Sequence, residues 1–180
     1  MSRHRLPLII ALALLVAGAI AFFRFLSPHS PRESAASLAR VRAELPDAAN
    51  RWQSAGIGDY SIRVKDYGCD SGSSQLLEIR NDILVAAWSK PDLTSEQSWA
   101  QIALANDAQT QSLADLTAEN MLERVREIAA EVDPESFYLS VKFDSEYGFV
   151  RDYKFEHNLG AVNGCYHFYR FSQFQKLDEP

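Results

Sequence analysis

The chain has 180 residues and a formal net charge of −6, with 47% hydrophobic and 11% aromatic residues but only 8 glycines and 7 prolines. Such a length and composition suit one modest domain plus an appendage, and exclude a disordered, collagen-like or disulfide-dense chain. The first 29 residues hold Arg3, Arg5 and Arg24 and no acids, so the remainder carries 15 basic against 24 acidic residues, a balance that argues against nucleic acid as a partner.

Residues 6–23 contain no charged or strongly polar side chain and follow Arg3, His4 and Arg5. The pattern is that of an export signal. Two readings stand. The small residues around Ala19 and Ala21 offer a cleavage point for a signal peptide, leaving a secreted or periplasmic product. Alternatively, residues 1–26 form a retained signal-anchor, since the apolar character continues through Phe22, Phe23, Phe25 and Leu26, and about 20 apolar residues span a bilayer. The anchor is the preferred reading. It predicts a single-pass protein of the cytoplasmic (inner) membrane, with the C-terminal domain outside the cytoplasm.

A polar, proline-punctuated linker is expected over 27–33, and a single domain over 34–180. Leu38, Val41, Leu45, Ala49 and Trp52 recur at helical spacing, with Pro46 either kinking that helix or starting a second one, and Gly56 and Gly58 ending it. Tyr60, Ile62 and Val64 alternate with polar residues as in a half-buried strand. Residues 76–80 and 83–88 read as two further strands joined by an Asn81-Asp82 turn, completing a meander. Thr94, Ser95, Glu96 and Gln97 resemble a capping box, which predicts a short helix running into Trp99 and Ile102.

Thr117 is the expected N-cap of the next helix, with Leu116 and Met121 as its hydrophobic staple and Asp133-Pro134 beyond its end. Phe137, Leu139, Val141 and Phe143 alternate with Tyr138, Ser140, Lys142 and Asp144 in a strand that turns at Glu146-Tyr147-Gly148. Gly148 is expected at a positive-φ turn position. A strand reaching about Glu156 and a last one over 165–174 complete the pattern. With no βαβ alternation, the fold class is α+β: an antiparallel sheet of about six strands with two or three helices packed on one face.

Trp52, the run Ile57-Gly58-Asp59-Tyr60-Ser61, a Cys after the first strand, a Thr-capped helix, and the run Val141-Lys142-Phe143-Asp144-Ser145-Glu146-Tyr147-Gly148-Phe149 together resemble the bacterial domain-of-unknown-function family 6174. The likeness spans about residues 52–171. Phe143 and Phe149 stand where that family's hairpin has tyrosines, and Val150 replaces its proline. The resemblance implies the fold and a small exported or membrane-anchored protein. It implies no activity.

Cys69 and Cys165 make an even pair in an exported chain, which reads as one disulfide; a reactive thiol is the competing reading. The domain's two histidines, His157 and His167, flank one turn and are the residues a metal site or a hydrolase would use, but the aromatic neighbours of His167 favour simple packing. No metal and no cofactor is implied. Asp144 and Glu146 lie close enough to pair as acid and base, or else serve the turn. Tyr138 and Asp144 fall opposite the apolar face of their strand, and Glu146 and Tyr147 lie at its turn, so these four are the candidate binding surface. The sequence therefore points to a non-enzymatic accessory or binding module of the cell envelope. Its expected partners are the membrane, through the N-terminal segment, and an envelope protein or small ligand. The alternative is an exported hydrolase using carboxylates or His157 and His167.

Overall fold

The computed structural model describes residues 29–67, 72–90, 98–105, 107–158 and 167–177. The expected N-terminal span, both cysteines and the capping box at 94–97 lie outside them.

The first element, α1 (Pro31–Ala55), starts within the stretch expected as linker. Its start is fully specified locally: Ser30 accepts from the Glu33 amide, Glu33 reaches back to the Ser30 amide at 2.8 Å, and Pro31 occupies the first turn. Pro46 neither ends nor divides the helix. A mid-helix proline costs about 3 kcal/mol. Buried Leu38, Val41 and Leu45 before it, and Ala48, Ala49 and Trp52 after it, hold both halves against the same core. Gly56 closes the helix at φ 56°, a left-handed cap.

Three strands follow: β1 (Tyr60–Asp66), β2 (Ser73–Arg80) and β3 (Ile83–Lys90). Asn81 and Asp82 join β2 to β3 with φ of 48° and 62°, the positive pair that a two-residue hairpin demands. A short strand, β4 (Ala100–Ile102), pairs with residues 87–89 of β3. It stands where a helix was expected. The periodicity around Trp99 and Ile102 is too short to separate the two states, and the edge of β3 supplies the hydrogen bonds that favour the strand. Two helices follow, α2 (Ala108–Ala114) and α3 (Ala118–Glu131). Thr117 holds the N-cap position of α3 by backbone alone, its side chain making no cap hydrogen bond.

The chain ends in β5 (Phe137–Phe143), β6 (Val150–His157) and β7 (His167–Lys176). The described residues form an α+β fold, a seven-stranded antiparallel sheet in the order β4-β3-β2-β1-β7-β6-β5 with three helices packing against it. Alternate residues of the central strands, including Tyr60, Ile62 and Val64 on β1 and Tyr153 on β6, face the helices and are buried. A left-handed residue in β7, Gln173 at φ 52°, lets Phe171 and Phe174, three apart, both face the core. Beside β5, Gly148 adopts φ 86°, and a Cβ there would sit 2.1 Å from the Ala48 carbonyl oxygen of α1. The expected glycine turn is thus also the point where hairpin and helix touch backbone to backbone.

Candidate functional site

Residues alternating with the buried set form the opposite face of the sheet, over which none of the three helices packs. β1 contributes Arg63 and Lys65, with Tyr67 just beyond its end; register places these beside Leu76 on β2, then Trp88 and Lys90 on β3. On the other flank Phe168 and Arg170 of β7 lie beside Asp152 and Lys154 of β6, which in turn face Ser140 and Lys142 of β5. The aromatic rings carry the cations. The Arg63 guanidinium lies 5.2 Å from the centre of the Trp99 ring, and Trp99 is 38% exposed. Tyr67 and Phe168 stack at 4.9 Å, with Arg170 over both rings at 6.0 and 5.7 Å.

Charge on this face runs against that of the chain. Arg63, Lys65, Lys90, Lys142, Lys154 and Arg170 stand against Glu78, Asp152 and Glu156, while Arg80 and Asp59 pair with each other at the hairpin end at 3.2 Å. Among the described strand residues the excess is three cations, on a protein of net charge −6.

The four residues singled out from sequence do not form one surface. Tyr138 stands six residues from Asp144 along β5, about 20 Å at strand rise. It belongs to a cluster at the N-terminal end of α1. The His29 ring stacks on Tyr138 at 3.6 Å, His29 Nε2 meets Glu156 Oε1 at 2.5 Å, and Lys154 Nζ meets the same oxygen at 2.7 Å. At the far end of β5, Asp144 Oδ1 accepts from the amides of Glu146 and Tyr147 at 2.9 and 2.8 Å, so its side chain builds the turn. Tyr147 packs on Phe174, and Lys176 Nζ lies 4.6 Å from the centre of its ring. Glu146 is exposed and lines, with Tyr147, Arg51 and Lys176, a groove of about 600 Å³. Asp144 thus serves the turn, the second of the two roles its position allowed.

On the helix side of the sheet, a cleft of about 990 Å³ is lined by Trp52, Asp59, Asp82, Glu119 and Lys176 among others. Glu119 is its most unusual group. Lying in the first turn of α3, it accepts from Trp52 Nε1 at 2.6 Å and from the Tyr60 hydroxyl at 3.2 Å, and that hydroxyl accepts from the Ala118 amide at 2.9 Å. Burial pushes the Glu119 carboxyl above the usual carboxylate range, more than the two donors pull it down. Burial also raises the Tyr60 hydroxyl well above its ordinary value, with the Glu119 charge adding to the effect. The triad ties α1, β1 and α3 together.

His157 is exposed at the end of β6, its ring edge-on to Phe137 at 5.0 Å, while His167 on β7 meets the Tyr169 hydroxyl at 3.3 Å. Among the described residues no three His, Cys, Asp or Glu side chains group as metal ligands. No helix among the described residues is long and apolar enough to cross a membrane. Sequence reasoning missed Trp88, Trp99, Arg63 and Arg170 as members of one surface. The available signal was the polar half of each strand's alternation, read across strands rather than along them.

A scan against models of known protein families finds no match, and a search of curated proteins finds none either.

Proposed function

We propose that this protein is a non-enzymatic binding module of the cell envelope, held outside the cytoplasmic membrane by its N-terminal segment, and that it takes an anionic partner on the open face of its sheet. The observation that carries this reading is the aromatic and cationic platform itself. Three helices are spent on one face, and the other presents rings and guanidinium groups across β3, β1 and β7, with Lys154 of β6 beside them. A mixture of Trp, Tyr and Arg is what distinguishes interface patches from ordinary surface. Site-specific photo-crosslinking in native membranes tests it. A benzophenone amino acid in place of Trp88 or Lys65 should give adducts, and one in place of Glu44 on the exposed side of α1 should not. Equal absence of adducts from all three positions would remove the open face from consideration.

The Cys69 to Cys165 disulfide belongs to the same proposal. Tyr67 and Phe168 are hydrogen-bonded at 2.9 Å and stacked, so the chain leads toward Cys69, two residues on, and Cys165, three residues back, from adjacent points. Such a bridge closes a loop of about 95 residues and contributes about 4 kcal/mol in the chain-entropy model. Alkylation without reductant should leave the intact mass unchanged. Two added alkyl groups would show free thiols.

A further inference from the structure

We infer that the anionic partner of the open face is the headgroup surface of the membrane that holds the chain, so that the domain lies on the bilayer through its sheet. The inference rests on the anchored reading above. Three observations support this occupant over a soluble acidic macromolecule. The first is where the chain enters. The apolar run ends at Leu26, and His29 is already stacked on Tyr138 and joined to Glu156 at the β5 margin of this same face. Three residues of extended chain reach at most about 10 Å, so an anchored chain holds that margin against the headgroups.

The second is extent. The face is seven strands wide, or roughly 30 Å at strand spacing, with its cations dispersed from Lys90 on β3 to Lys142 on β5. A lipid surface carries its charge equally dispersed and can meet such cations on whichever strands the sheet's twist brings down to it. The third is side-chain chemistry. Trp88, Trp99 and Tyr67 are amphipathic rings of the kind that settle at headgroup level, and Arg63 and Arg170 rest on rings, each with Nε engaged, by Ser74 Oγ at 3.1 Å and by Asp152 at 2.7 Å, while the half-exposed guanidinium of Arg170 keeps its other N–H groups toward solvent. The excess of three cations gives the attraction its sign, and an anionic leaflet draws such groups within a Debye length.

The test uses the full chain in lipid nanodiscs, one set of phosphatidylcholine alone and one with about 30% phosphatidylglycerol, a fraction sufficient to set a negative surface potential. A membrane-impermeant amine reagent is applied, and acylation is read residue by residue by mass spectrometry. Lys65, Lys90 and Lys142 should react several-fold more slowly in the anionic discs and recover at high salt, as a screened surface attraction requires. Lys176, on the helix side, serves as the internal reference and should react alike in both. The variant Lys65→Glu/Lys142→Glu should lose the protection of Lys90, with an unchanged circular dichroism spectrum showing that it folds. Equal rates in the two discs overturn the inference. So does protection that comes only from added polyglutamate and equally in both discs, which would assign the face to a soluble acidic macromolecule and leave the binding proposal standing. A chain recovered free of both discs would instead overturn the anchoring, and the inference with it.

Discussion

The two faces of one sheet follow different rules. On the helix side, Tyr60, Ile62, Val64, Leu77 and Tyr153 are essentially inaccessible, and the ionisable group of that layer, Glu119, is pushed toward its neutral form and hydrogen-bonded by Trp52 and Tyr60. On the open side the same strands carry Lys65, half-buried, and Arg63, Lys154 and Arg170, half-buried or exposed and held by rings or carboxylates. A residue on the first face must satisfy packing. On the second, apart from Ser74, buried beneath Arg63, most residues keep contact with solvent, so rings and cations can collect there for a purpose other than folding. Substitutions should therefore separate into those that cost stability and those that cost binding.

The largest expected effect is at the junction of hairpin and helix on the covered side. Gly148→Val meets two obstacles, a positive φ that a β-branched residue avoids and an Ala48 carbonyl oxygen only 2.1 Å from where its Cβ would sit, far inside van der Waals contact. Strain and overpacking together should destabilise the fold by about 3 to 5 kcal/mol in urea denaturation. An unchanged midpoint would mean that α1 does not rest on the hairpin. Next is the loss of one oxygen. Tyr60→Phe leaves the buried Ala118 amide without its acceptor and Glu119 with one donor fewer, at a cost of about 1 to 3 kcal/mol.

The covered side was legible in the sequence because burial writes a period. Trp52 and Val41 on α1, Ile62 and Val64 on β1 and Val125 on α3 all fell on stripes visible in the chain, and Asn81-Asp82 and Gly148 announced their turns through backbone chemistry. The open side was not, because polar alternation looks the same whether a face meets water or a partner. Only the order β3-β2-β1-β7-β6 brings Trp88, Arg63 and Arg170 onto one surface. Tyr138 and Tyr147 lie apart for a related reason: alternation places residues on a face but says nothing of the 20 Å or so between two ends of one strand. The strand β4 was illegible because three residues carry no period.

A pH series sharpens the contrast without altering packing. The folded-state pKa of Glu119 is raised above the unfolded value near 4.5, with burial as the first cause, so the folded protein binds the proton more tightly. Its contribution to stability is therefore full below the unfolded pKa and is lost as pH rises through the folded one. Asp59 has the opposite sign. The Asn81 amide first, and Arg80 second, hold its carboxyl below the usual range, so its contribution is present above the unfolded pKa and is lost as pH falls through the depressed one. Glu119→Gln should keep the Trp52 contact and remove the first slope. Denaturation from pH 4.5 upward should show wild type losing stability relative to the variant, and parallel curves would contradict the assignment.

The smallest expected effect carries the most meaning. Arg170 on the open face pairs with Asp152 at 2.7 Å and lies over Tyr67 and Phe168, but its side chain is half exposed. An ion pair in that setting is screened by solvent and contributes between nothing and about 1 kcal/mol, and an exposed cation–π contact adds little more. Arg170→Ala should therefore change the urea midpoint only slightly, leaving stability within about 1 kcal/mol of wild type. The same substitution removes a cation from the surface proposed to meet an anionic partner, so binding should fall while folding does not. A loss above about 2 kcal/mol would show that the ring and carboxylate contacts of Arg170 hold the sheet together, because no screened surface pair reaches that size. The open face would then be a second structural layer, and its cations would need no partner to explain them.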